Sequence, residues 1–447
     1  MNDARIVSLS CRCDGITPEA FFALARDRER FYWNDDDLTL VGVGIAVEIT
    51  AWGERRFATV ADKARALFDG VTILEDGDAI AQPRLFGGFS FQPDFVTEHT
   101  WAQFAPAYFV LPHYQMTARD GKTWLTLNIQ LPADEALDAD ALRAALTEQS
   151  DLLRSQAVEM RAPMTTHPIE VRYPMTQSTW TDMIEAAVAE MRVGHLKKVV
   201  LSRVCELRFD GHVDVDGALA YLHDAYPGTT RFAFAPIPHL TFFGATPELL
   251  VAVEGTHVET EALAGSIKRG ATEAEDSALA SALLSDAKER GEHHLVVEGI
   301  RDRLAPLAAA LDYDDTPLVL RLKNIQHLHT PMHATMRESM GVLPLVELLH
   351  PTPALGGSPR TEALAFIRDA EPVPRGWYAS PVGWIDPQMD GAFVVAIRSA
   401  VSQNDRVWLY AGAGIVAESQ PAREWDETAL KFRPMLNALG AQIDVRA

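Results

Sequence analysis

Residues 232–253 read FAFAPIPHLTFFGATPELLVAV, and this stretch decides the fold. It holds three short runs, 232–235, 240–243 and 249–253, of aromatic and aliphatic residues separated by proline and glycine. Runs of this kind read as β-strands bounded by turns. No helical pattern separates them. Outward from here the habit recurs. Strand-like segments lie at 198–207, 318–322 and 324–336, and three more are read between 376 and 415, with turns at Asp386-Pro387 and Asn404-Asp405. Helical patterns fall at 176–193, 276–304, 343–350 and 422–439, the last with a kink expected near Pro434. A Rossmann-type chain would alternate strand and helix. Strands in neighbouring runs favour an α+β fold of large antiparallel sheets flanked by helices.

The N-terminal region reads the same way. Strands are expected at 39–50 and 84–91, a hairpin of 108–115 and 123–131 around Asp120-Gly121, and a helix at 134–160. The stretch 161–174 carries three prolines and is the candidate linker. It divides an N-terminal α+β part, 1–165, from a second part, 174–447, within one compact body.

Composition narrows the function. A net charge of −22 argues against a nucleic-acid surface, which would need basic patches to neutralise phosphates. No apolar run reaches the roughly 18 residues of a membrane span. The start, Met1-Asn2-Asp3-Ala4-Arg5, lacks the apolar core of a secretion signal. Three cysteines are too few for a disulfide framework, and Cys11 and Cys13 lack the partners of a paired metal unit. The expectation is a cytoplasmic, monomeric protein with reduced thiols and a small-molecule partner, without membrane or nucleic acid.

Four blocks in the second part carry chemistry. Lys-Lys-Val-Val-Leu-Ser-Arg (197–203) opens a strand whose alternation puts Lys198 and Val200 on one face. A lysine desolvated by such neighbours can serve as a base; it could equally snorkel from a strand end. Phe-Phe-Gly-Ala-Thr-Pro-Glu (242–248) ends in Glu248, a general-acid candidate if burial raises its pKa, and otherwise a turn carboxylate. Glu289 and Glu292 lie at i and i+3 on one helix, and Glu424 and Glu427 repeat the spacing on another. Four such oxygen donors suit Mg²⁺, while either pair alone could be a solvated helix face. His293 and His294 lack the zincin order, so zinc is not expected. Gly412-Ala413-Gly414 could turn amides toward an anion, and Arg398, Tyr378 and Lys431 are candidate carboxylate ligands. Together these residues point to an enzyme that moves a hydroxyl group on a small polyanion.

The combination resembles the chorismate-utilising enzymes, and most closely the isochorismate synthases of menaquinone and siderophore biosynthesis. The likeness spans about 174–440 and rests on Lys198-Val-Val-Leu-Ser-Arg203, Phe243-Gly-Ala-Thr-Pro-Glu248, Glu261-Ala-Leu-Ala-Gly-Ser266, Ile325-Gln-His-Leu328, His350-Pro-Thr-Pro-Ala-Leu-Gly-Gly357 and Gly412-Ala-Gly-Ile-Val416. Arg30-Phe-Tyr-Trp33 is similar to a segment of the menaquinone-type enzymes. The resemblance implies chorismate as substrate, Lys198 as the base that activates water toward C2, and Glu248 as the acid for the C4 hydroxyl. It implies Mg²⁺ on Glu292 and Glu427, with Glu289 and Glu424 close by. Tyr378, Arg398 and the Gly412 amide match positions at the enolpyruvyl carboxylate, Lys431 one near the ring carboxylate, and His327 one near the ring. Ala264, Gly265 and Ser266 match substrate-contacting positions. Ser266 departs from the commoner threonine but keeps the hydroxyl. Relatives that use ammonia usually carry glutamine where Lys198 stands, and some place a nucleophilic lysine where Ala264 stands. Both positions favour water. Salicylate synthases, which go on to eliminate pyruvate, and a catalytically silent chorismate-binding subunit are the alternative readings.

Overall fold

A computed structural model describes residues 4–74, 79–97, 99–132, 135–157 and 166–443. The decisive stretch forms three strands, Thr230–Ile237, Leu240–Thr246 and Leu249–Glu254. The first two pair antiparallel, with Phe234 opposite Phe242. Phe232, Phe234, Leu240 and Phe242 belong to one hydrophobic core, and Ala233, Phe243 and Ala245 to a second. Successive strand residues face opposite sides, so a strand with a core on each side reads as an almost unbroken apolar run. The first core is stiffened by aromatic packing: Phe31 on Phe234 at 4.8 Å, Phe234 on Trp377 at 5.1 Å, Trp101 on Phe242 at 5.2 Å. Such pairs contribute about 0.5–1.5 kcal/mol each beyond their buried area.

Among the described residues the strands join into one 21-stranded hydrogen-bonded sheet system. Its pairings are antiparallel except that of Ala4–Arg12 with Val71–Leu74. The strand Leu240–Thr246 pairs with Ser399–Gln403, which pairs with Arg406–Ile415, which in turn pairs with Lys198–Phe209. That last register sets Gly414 opposite Val200 and Gly412 opposite Ser202. Nearby, His257–Lys268 pairs with Ile325–Met336. The helix Ala287–Leu304 packs on His257–Lys268, and the helix Pro421–Ala438 on Arg406–Ile415. Hydrogen bonds also cross between the N- and C-terminal parts. Arg30–Asn34 pairs with Thr230–Ile237, and Leu85–Phe89 with Pro381–Ile385. No described helix is long and apolar enough to cross a membrane.

Several expectations need correction. The 376–415 region holds four strands, Pro381–Ile385, Gly391–Val395, Ser399–Gln403 and Arg406–Ile415. The unforeseen break falls before Ser399, where Arg398 has φ 50°, a conformation that ends a strand. The helix read over 276–304 is two, Glu273–Ser285 and Ala287–Leu304. They divide at Asp286, whose side chain caps the second by accepting from the Lys288 and Glu289 amides. The helix read at 134–160 spans Ala139–Ala157. Residues 133–134 and 158–165, and with them part of the expected linker, lie outside the described residues. The helices Arg56–Asp69, Val215–Ala225 and Arg360–Ala370 were not foreseen. The Asp120-Gly121 turn is as read, with φ 51° and 70°, the left-handed pair of a tight hairpin.

Candidate active site

The elements just described converge on one cleft. Its walls include Glu248, Ala264, Gly265, Ser266, Glu292, His327, Tyr378, Arg398, Gly412, Glu427 and Lys431. Lys198, Glu289 and Glu424 stand behind these walls, each in electrostatic contact with them.

Lys198 is completely buried, which excludes a snorkelling role. Its Nζ lies 2.8 Å from Glu292 Oε1. Gly414 makes that meeting possible: a Cβ there would stand 3.2 Å from Lys198 Cε and would collide with Glu292. The strand carrying Lys198 is clamped from behind. Glu371 accepts from the Ser202 amide at 2.7 Å, and Arg375 donates to the Val200 and Leu355 carbonyls at 2.6 and 2.9 Å. This buried Glu371–Arg375 pair escaped the sequence reading, because its targets on the Lys198 strand lie 169 and 175 residues away.

Glu248 follows the end of Leu240–Thr246, with its amide donating to Thr246 Oγ1 and its carbonyl accepting from Val395. It is 4% exposed. Burial, and after it the charge of Glu261, pushes its carboxyl up to about 8, against the opposing pull of Lys198, Lys431 and Arg398. Near neutral pH it is therefore a carboxylic acid with a proton to give. Glu261, quoted in the motif but given no task, accepts from the Leu249 amide and pairs with His329 Nε2 at 2.6 Å.

The four helix carboxylates are drawn together by their two helices. Burial, and then Glu427, raises Glu424 to about 7. Glu289 is raised by burial and by Glu292, although its Oε2 accepts from the Ser266 amide at 2.8 Å. Burial works to raise Glu292, but Lys198, with Lys431 and Lys288, more than offsets it and holds the carboxylate below its usual range. Ammonium groups interleave the cluster. Lys431 Nζ is 2.7 Å from Glu427 Oε1, and Lys288 Nζ is 3.5 Å from both Glu289 and Glu424. Among the described residues no three metal-binding side chains already form a cage.

The opposite wall suits an anion. Arg398 is 7% exposed, and its Nη2 lies 3.2 Å from His327 Nε2. Guanidinium only donates, so Nε2 accepts and the proton sits on Nδ1, 2.9 Å from Ser266 Oγ. Burial, with Arg398 and Lys431 beside it, holds His327 well below its ordinary pKa, as a neutral imidazole. The Ser266 hydroxyl thus serves where threonine is commoner. Gly265 has φ +74°, and a Cβ there would stand 3.1 Å from the Glu289 carbonyl, so this bulge needs glycine. Tyr378 stacks on Tyr410 at 5.1 Å, and Lys431 also donates to the Gly412 carbonyl at 2.8 Å.

The sequence that builds this site matches a known family, described as chorismate binding enzyme, over residues 1–440. The chain belongs to that family. It is 34% identical to "Isochorismate synthase MenF" of Bacillus subtilis (strain 168), over 99% of this chain and 95% of that protein. It is 36% identical to the "Salicylate biosynthesis isochorismate synthase" of Pseudomonas aeruginosa, over 98% and 90%. Among solved structures, the menaquinone-specific isochorismate synthase MenF of Escherichia coli superposes with a TM-score of 0.78 at 26% identity, covering 98% of this chain and 96% of that one. The family resemblance and the large antiparallel fold expected from the sequence are both borne out.

Proposed function

We propose that the protein is an isochorismate synthase, an isomerase that adds water at C2 of chorismate and expels the C4 hydroxyl. The observations that carry this reading are a fully buried lysine held 2.8 Å from the cleft-wall residue Glu292 and a buried glutamic acid in the same wall, where burial favours the protonated carboxyl. In this reading Lys198, acting from its neutral amine form, takes a proton from the attacking water, and Glu248 gives one to the departing oxygen. One proton is taken and one given, so the reaction is balanced as an isomerisation. Arg398 and Tyr378 hold the enolpyruvyl carboxylate, aided by the Gly412 amide. Lys431 serves the ring carboxylate. Neutral His327, fixed by Arg398 and Ser266, packs beside the ring with its proton turned away from Arg398. Ala264 and Gly265 shape the floor without offering an amine.

We assign Mg²⁺ to Glu292 and Glu427, with Glu289 and Glu424 in support. The donor chemistry fits: mutually repelling buried carboxylates, offset by ammonium groups, are hard oxygen ligands short of positive charge. Bound there, the ion would anchor the ring carboxylate and draw charge from it. Glu292 and Glu427 now face Lys198 and Lys431, so those side chains must release carboxylate oxygens to a cation.

We take residues 174–447 as the catalytic part, since all the site residues lie there, and the enzyme as a cytoplasmic monomer. The Arg30–Trp33 likeness supports the menaquinone branch. Incubation with chorismate and Mg²⁺, with products resolved by chromatography, tests the assignment. Isochorismate is expected; salicylate with pyruvate, or unchanged chorismate, refutes it.

A further inference from the structure

Lys288 stands at the carboxylate cluster with no task in the reaction just described. It opens the helix Ala287–Leu304. Its ammonium is 3.5 Å from Glu289 on its own helix and 3.5 Å from Glu424 on the helix Pro421–Ala438. One cation thus bridges the two helices that carry the four carboxylates. We propose that Lys288 is a placeholder cation: a positioning residue that holds Glu289 and Glu424 together until a divalent ion enters, and that sets the affinity for the ion by competing with it. This rests on the magnesium reading above.

Three observations carry it. Lys198 and Lys431 each approach a single carboxylate closely, at 2.8 and 2.7 Å, whereas Lys288 is shared at longer range. Lys198 is buried and Lys431 is tied to the Gly412 carbonyl, but the Lys288 side chain is 30% exposed on a flexible stem. Of the three ammonium groups, it is the one that can swing into water. Finally, four carboxylates face three ammonium groups here, an excess of one negative charge when all four are ionised. Without Lys288 the excess is two, confronting the Glu424 side chain, which is only 2% exposed.

The sign of the consequence separates this role from simple structural support. A supporting lysine, once removed, would loosen the carboxylates and weaken metal binding. A competing cation, once removed, strengthens it. The experiment is Mn²⁺ titration of the full-length protein without substrate, read by the electron paramagnetic resonance signal of the free ion. Lys288→Met should bind Mn²⁺ about tenfold to a hundredfold more tightly than wild type, the effect of one positive charge a few ångströms from a divalent ion. Lys288→Arg, which keeps the charge, should stay within about threefold of wild type. The metal-free melting temperature of Lys288→Met should fall and recover with saturating Mn²⁺. Lys288→Gln gives the same comparison if the methionine variant does not fold. Wild-type binding with unchanged or weaker affinity in both neutral variants overturns the assignment of Lys288. No binding to wild-type protein overturns the magnesium reading itself, and the placeholder role with it.

Discussion

Replacing Glu248 with glutamine tests the acid directly. The carboxyl is raised from 4.5 to about 8 by burial first and Glu261 second. The acid is active when protonated, so kcat/KM should fall as pH rises through about 8. With that value, about three quarters of the enzyme holds the proton at about pH 7.5 and about one tenth at about pH 9, roughly an eightfold loss. Glutamine has no proton to give, so Glu248→Gln should lose about 10²–10⁴-fold in kcat at all pH values. Stability carries an independent signature. The folded protein holds this proton more tightly than the unfolded chain, so stability falls as pH climbs from about 4.5 to about 8. Across that pH range the loss is about 5 kcal/mol at most, at about 1.4 kcal/mol per pH unit. Glu248→Gln removes that slope, so the inactive variant should melt higher than wild type at about pH 9, by a few degrees for a chain this long. The assays are a pH series of initial rates, with isochorismate quantified by chromatography, and calorimetry at matched pH. A wild-type rate that stays flat from about pH 7.5 to 9.5, with a glutamine variant near wild-type activity, would refute the reasoning.

Three further outcomes are expected. Lys198→Ala should lose at least about 10²-fold in turnover, and it should lose about 3–5 kcal/mol of metal-free stability because Glu292 is left buried and unpaired; equal melting curves with wild type would contradict the pairing. EDTA should abolish activity and Mg²⁺ restore it, with Glu292→Gln or Glu427→Gln raising the Mg²⁺ concentration needed, as metal-dependent rate curves would show. Ala264→Lys sets an amine in the cleft wall, and it should cut isochorismate output or give a covalent adduct visible by intact-mass spectrometry; wild-type rate without adduct would show that Ala264 does not face C2.

What was legible in the sequence was local, or concentrated in short blocks. Alternation alone placed Lys198 and Val200 on one face, and the cleft wall includes Val200 while Val199 and Leu201 lie in the core. The i, i+3 spacing placed each glutamate pair on one helix face. It could not say whether that face met water. The side chains of Glu292 and Glu424 are 12% and 2% exposed, because a second helix and a strand cover them. Lys288 was hidden for the same reason: beside Glu289 it looks like an ordinary helix-surface pair, and only the partner helix shows that it reaches Glu424. Arg398 was named as a ligand, yet its positive φ, which aims it at His327 and breaks the strand, has no signal in an arginine codon. The Glu371–Arg375 clamp depends on contacts between segments far apart in the chain, and residue spacing carries no trace of them.

The acidity of the chain still has to be reconciled with an anionic substrate. A net charge of −22 repels chorismate at long range, but charges beyond about 8 Å are largely screened at physiological salt, so the local tally decides. At the cleft, Lys198, Lys288, Lys431 and Arg398 supply four positive charges in the resting enzyme, while Lys198 still holds the proton it must lose to act as a base. Glu289, Glu292, Glu424 and Glu427 supply four negative ones when ionised. Glu248 is protonated, and Glu261 does not line the cleft, so neither enters this count. The sum is 4 − 4 = 0, so the protein alone offers a substrate with two carboxylates no net attraction. A divalent cation makes the cleft positive by two, which the two carboxylates then neutralise. The site therefore has no need of a basic surface. It needs its carboxylates balanced closely enough that one ion changes the sign of the cleft, and the ammonium groups interleaved among them provide that balance.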